Sequence, residues 1–321
     1  MSLSQHVATL GRGPGRSRSL TLDEACDAMA QMLTGDAAPQ AVGAILMLLR
    51  MKGETAEEIA GFVRAAQDSL PEVPPVDLDW PSYAAGRTRG LPWFLLSARL
   101  LAGAGHRVLL HGWNGRVGSV RAGLGSAGIR QAKDIGTAAD VLASDGITYL
   151  PLEHLATGLF ALLQLRDTFG LRSCVNTVCR MLNPGRAAAS VQGVFHPSYR
   201  LLQADAAGLL GWSNLSVIKG GGGEFERHPS KVIAGFGLRE GAAWEGRFAA
   251  LHPETRRLDD GAEDPARLAD LWTGRIADPF AEAIVIGTAA AALATLGVGD
   301  AEQRAADLWR GRARSSEGDR R

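Results

Sequence analysis

Thirteen basic residues fall between Pro81 and Arg200, against five acids, in a chain whose 34 Lys+Arg and 34 Asp+Glu otherwise cancel. Twelve of the thirteen are arginines, whose planar guanidinium forks suit bidentate contact with phosphate oxygens. Three groups of residues could act on phosphate. Arg87, Thr88 and Arg89 sit in one Gly-bounded loop, His111 and Arg116 flank a second glycine-containing loop, and Arg172 and Arg186 bracket a helical stretch. Lys219 follows a strand-like run and precedes Gly220 to Gly223, a tract able to form an anion-binding turn or a plain strand-to-loop exit. Glu226 lies beyond it, beside Phe225. A basic segment with few acids suits the backbone of a nucleic acid, and Tyr83, Trp93, Trp113 and Trp212 could stack on unpaired bases. The competing reading of each arginine is a solvated or ion-paired surface group, and of His111 a packed residue at a strand end.

The elements that would position these groups are legible. Residues 1–20, carrying Arg12, Arg16 and Arg18, read as a flexible basic lead. Helices are expected over 21–74: Thr21 and Glu24 form one capping box and Thr55 and Glu58 a second, while Val42, Ile45, Leu46 and Leu49 make an apolar helical face that Gly53 terminates. Pro71 to Pro75 is an extended linker. Beyond it, strands at 106–111, 147–150, 192–195 and 215–219 alternate with helices at 94–104, 151–169 and 171–182, which predicts an α/β domain over 75–315 and a frayed tail over 316–321. Cys26, Cys174 and Cys179 match no zinc spacing and form no disulfide framework. The lack of an apolar leader and the short Ala-rich run at 283–298 predict a cytoplasmic chain that does not enter a membrane.

The segment Pro39 to Gly61 (PQAVGAILMLLRMKGETAEEIAG) resembles the N-terminal signature of the anthranilate phosphoribosyltransferase and nucleoside phosphorylase superfamily, glycosyltransferase family 3. The resemblance continues through Gly170 to Pro184, Gln192 to Val194 and the C-terminal helices. It implies a small helical domain, a larger α/β domain with a central, mostly parallel sheet, and a homodimer formed through the N-terminal helices. In the family's transferases a G-T-G-G-D loop cradles the pyrophosphate of phosphoribosyl pyrophosphate (PRPP), a K-H-G-N-R motif follows, and an Asp-Glu pair holds magnesium. Here the first loop reads Tyr83-Ala-Ala-Gly-Arg-Thr-Arg-Gly90, the second Leu110-His-Gly-Trp-Asn-Gly-Arg116, and the pair has become Phe225-Glu226. The Trp80-Pro81-Ser82-Tyr83 entry, the His111-Gly112 to Gly115-Arg116 loop and the Gly220 to Glu224 segment resemble a non-biosynthetic, DNA-binding (YbiB-type) branch. The expectation is therefore non-specific nucleic-acid binding without a cofactor. The alternatives are a pentosyl transferase with altered substrate, using Mg2+ with PRPP, and a protein-docking module built on the helical dimer.

Overall fold

The computed structural model describes residues 1–84, 90–115, 118–258, 261 and 263–318, with side chains to Arg312. Four helices open the chain: α1 (Leu3–Gly11), α2 (Leu22–Leu33), α3 (Pro39–Lys52) and α4 (Ala56–Asp68). Both capping boxes form as the sequence requires. The second does more than cap. The Glu58 carboxylate is fully buried and accepts from the Thr55 and Leu20 amides (each 2.9 Å) and from Lys52 Nζ (2.8 Å). Stranding those donors by removing one partner of such a buried charge costs about 3–5 kcal/mol. The Lys52-to-Glu58 stretch is thus a knot tying α3, α4 and the lead together. Part of the expected flexible lead is a packed helix: Leu3, His6 and Leu10 of α1 are buried, and α1 packs on α3.

The α/β part follows as β1 (Leu78–Ser82), α5 (Phe94–Gly103), β2 (Val108–Gly112), α6 (Ser119–Ser126), α7 (Ile135–Asp145), β3 (Ile147–Pro151), α8 (Leu152–Leu155), α9 (Thr157–Phe169), α10 (Val175–Arg180), β4 (Ala189–Val194), α11 (Tyr199–Leu209) and β5 (Asn214–Lys219). The hairpin β6 (Ile233–Arg239) and β7 (Ala242–Phe248), then α12 (Ala266–Thr273), α13 (Pro279–Thr295) and α14 (Ala301–Gly318), complete it. One seven-stranded sheet runs β3-β2-β1-β4-β5-β6-β7, parallel from β3 to β5 and antiparallel beyond. The hairpin escaped the sequence reading because Gly235, Gly237 and Gly246 stand at strand positions and thin the apolar alternation, although Trp244 and Phe248 do alternate with exposed Glu245 and Arg247.

Strand side chains split between two cores. Leu78, Trp80, Val108, Leu110 and Val191 face α5, α13 and α14. Leu109, Leu150, Val194 and Val217 face α2, α4 and α8 to α11. The helical layer is therefore discontinuous in sequence: α9 packs on α2 and α10 on α4, which a boundary drawn at residue 74 misses. The expected single helix over 151–169 breaks at Ala156 (φ −148°, ψ 79°), and α14 extends to Gly318, past the start of the expected frayed tail at 316. No helix among the described residues is long and apolar enough to cross a membrane.

Candidate functional site

The parallel strand order reverses at β1, with β2 on one side and β4 on the other. Crevices of open α/β sheets lie beyond the carboxyl ends of the strands at such a reversal. A cavity of about 280 Å³ lies beyond the end of β4, walled by Arg50, Arg172, Asn176, Arg180, Tyr199 and Gln203 among others. It joins the two layers. Arg50 of α3 donates to the Arg172 carbonyl (2.7 Å), and the Tyr199 hydroxyl of α11 donates to Glu54 in the turn after α3 (3.4 Å). Burial raises the Glu54 carboxyl above the usual carboxylate range.

Arg180 is the unusual member. Only 9% of its surface is exposed, its two terminal nitrogens donate to the Asn176 and Tyr83 carbonyls (3.2 and 3.1 Å), and its Nε has no partner. Burial pulls its pKa down, with Glu224 opposing through space. Among the described residues no carboxylate forms an ion pair with it.

Behind this wall, on the face of the sheet toward the helical layer, lies a buried polar chain. His111 Nδ1 meets the Tyr83 hydroxyl (2.9 Å), Nε2 meets Asp79 (3.0 Å), and the Ser190 hydroxyl donates to the other Asp79 oxygen (2.7 Å). Burial raises the pKa of the Tyr83 phenol, so its hydroxyl stays protonated beside Nδ1. His111 is wholly buried with both nitrogens engaged, so it is a strut and not a ligand contact.

The departure at Phe225-Glu226 has a structural explanation. Phe225 is fully buried, edge-on to Trp80 (5.6 Å), which stacks on Phe94 (6.0 Å). The flanking carboxylates turn inward. Glu224 accepts from the Ala84 amide (3.0 Å) and from the Asn114 side chain (3.3 Å), and Glu226 accepts from the Phe94 amide at the start of α5 (2.9 Å). A carboxylate thus sits at the helix N-terminus that follows the first loop, where an anion would otherwise be favoured. The glycine tract is a tight turn against β4, not a loose exit: a Cβ on Gly220 would lie 1.6 Å from the Glu224 carbonyl, and Gly223 has φ 95°. The donor set does not fit magnesium, which wants exposed oxygens in an octahedron. No cluster of metal-ligating residues occurs among the described residues.

The other candidates distribute as follows. Arg87, Thr88, Arg89 and Arg116 lie outside the described residues. Arg172 borders the cavity, and Lys219 is exposed at the end of β5, in register with cavity-wall residue Val194. Arg186 does not join them: it turns to α4, bonding Gln67 (3.0 Å) and Asp68 (3.1 Å). Arg107, Arg121 and Arg130 are committed to Asp77, Glu153 and Asp145. The basic excess is therefore no continuous stripe among the described residues. Tyr83 and Trp93 are core residues and cannot stack on bases. Sequence reasoning missed Arg50 and Arg180 as site residues. The four-residue step from Asn176 to Arg180, one helical turn, was the available signal.

Residues 5–70 match the family model described as the glycosyl transferase family helical bundle domain. Curated relatives are named anthranilate phosphoribosyltransferase. That of Thermomicrobium roseum is 27% identical over 86% of this chain and 83% of its own, and that of Halobacterium salinarum 31% over 67% and 66%. The anthranilate phosphoribosyltransferase of Thermus thermophilus superposes with a TM-score of 0.81 at 20% identity, covering 98% of this chain and 95% of its own. The Saccharomyces cerevisiae enzyme in complex with PRPP and Mg does so at 0.77 and 17%, covering 98% and 93%. The chain belongs to the glycosyltransferase family 3 superfamily, that of the anthranilate phosphoribosyltransferases, and is phosphoribosyltransferase-like in fold.

Proposed function

We propose that this chain binds a small anionic ligand in the cavity between its layers, and that it does so without magnesium. The observation that carries this is a cavity walled by Arg50, Arg172 and Arg180 with no acid among its described lining residues. The inward-turned Glu224 and Glu226 support the second half, because neither carboxylate is placed to hold a metal for the ligand.

Pentosyl transfer from PRPP to an anionic acceptor other than anthranilate is the second reading. The relatives' shared name favours it over nucleic-acid binding. Nucleic-acid binding keeps one observation: Lys219 is exposed one strand along from the cavity wall and would extend its positive charge. Calorimetric titration with PRPP, with and without magnesium, and with single-stranded DNA at low salt orders the three. Our reading expects PRPP to bind through one of its phosphate groups, with affinity insensitive to magnesium and reduced in Arg172→Ala. Binding that appears only with magnesium would replace it with the transferase. DNA binding that falls steeply and linearly on a log–log salt plot would replace it with the nucleic-acid reading.

We also propose a homodimer through the N-terminal helices, supported by Met51 of α3, which is 84% exposed beside the partly buried Met47 and Leu48. Sedimentation at micromolar concentration should give about twice the 33.8 kDa chain mass. A monomer there would end this proposal.

A further inference from the structure

The geometry points to a phosphate monoester as the anion this cavity takes, with Arg180 as the residue that selects it. The inference rests on the anionic-ligand reading above and adds the chemical class. A guanidinium withdrawn from water needs a counter-charge, and the carbonyls of Asn176 and Tyr83 supply dipoles but no charge. Two of the five Arg180 N–H donors are spent on them, and Nε has no partner. Gln203 is buried on the same wall with its amide oxygen unpartnered.

Charge and room then decide the class. Arg50, Arg172 and Arg180 bring three positive charges, and His196 is a fourth titratable group on the wall. Two acids act nearby: Glu54 is bonded to the cavity-wall residue Tyr199 and shifted toward its neutral form, and Glu224 is tied to Ala84 and Asn114. A carboxylate ligand offers one charge and two oxygens. A phosphate monoester offers close to two charges and three strong acceptors, matching several guanidinium forks at once. About 280 Å³ admits one phosphate with a small organic group and is below the usual range for drug-sized ligands. The same chemistry could arrive as a free metabolite or as the 5′-phosphate of a nucleic-acid end.

The test titrates the full-length protein with phenyl phosphate, benzoate, and an oligonucleotide with and without a 5′-phosphate. Phenyl phosphate should bind at least about tenfold tighter than benzoate. Arg180→Met should weaken phenyl phosphate at least about thirtyfold, and Arg180→Lys should recover part of the loss. Benzoate binding as tightly as phenyl phosphate would overturn the phosphate assignment and leave the anion cavity standing. Binding of neither would remove both. Unchanged phenyl phosphate affinity in Arg180→Met would overturn the role of Arg180. A dependence of oligonucleotide affinity on its 5′-phosphate supports the proposal with a nucleic-acid end as the source, and its absence beside tight phenyl phosphate binding supports a free metabolite. The ligand comparison uses unmodified protein, so the phosphate assignment is decided even if a variant fails to fold.

Discussion

Phe225→Asp, which restores the acid that the superfamily's transferases carry, should lower stability by more than about 5 kcal/mol. Truncating a buried phenylalanine alone costs about 3–5 kcal/mol, and here the replacement is a charge. Phe225 has no exposed surface, and its ring meets the face of Trp80, itself packed on Phe94 at the start of α5. An aspartate there would sit between the buried Glu224 and Glu226, adding like-charge repulsion to desolvation. In a chain of this size that is a fall in Tm of about 10 °C or more, read by thermal unfolding. Phe225→Leu should cost far less, because it keeps most of the apolar volume. A Phe225→Asp protein that melted like the wild type and bound magnesium would show that the metal site is only one residue from function, contrary to this account.

Arg180→Met should separate stability from binding. Most core substitutions lose both. Here the side chain removed is a cation with no ion pair among the described residues, and methionine fills a similar volume without needing a counter-charge. The variant leaves the Asn176 and Tyr83 carbonyls short of one donor each, which costs about 1 kcal/mol apiece. Against that stands the relief of a desolvated charge, so the ligand-free protein should be as stable as the wild type, or more stable by up to about 2 kcal/mol. Ligand protection should vanish, because the wild type gains stability in proportion to the logarithm of ligand over Kd and the variant does not. Thermal unfolding with and without phenyl phosphate reads both halves. A variant that melts several degrees lower without ligand would mean that Arg180 is a structural strut, as Arg227 is, whose buried guanidinium is likewise held by two backbone carbonyls, those of Gly287 and Ala249.

The scaffold was legible because it rests on local rules. The Thr21 and Thr55 capping boxes, the glycine stop at Gly53 and the strands at 147–150 and 215–219 all follow from spacing and residue type. The site was less legible because its decisive facts are contacts distant in sequence. That Arg186 belongs to Asp68 rather than to a ligand depends on a contact 118 residues away. That Glu226 caps α5 depends on one 132 residues away. The basic excess between Pro81 and Arg200 suggested an anionic partner, but Arg107, Arg121, Arg130 and Arg186 are engaged by Asp77, Glu153, Asp145 and Asp68. Composition counts charges, and only the fold shows which of them are already paired. Arg180 was countable in the sequence and gained its meaning only from burial.

The most direct test is a crystal structure of the protein soaked with phenyl phosphate and magnesium. The account predicts phosphate density in the cavity within hydrogen-bond distance of Arg180 and Arg172, with no metal beside it and with Glu224 and Glu226 still bonded to Ala84 and Phe94. Phosphate density instead at the start of α5, bridged by magnesium to a Glu226 that has swung outward, would contradict it.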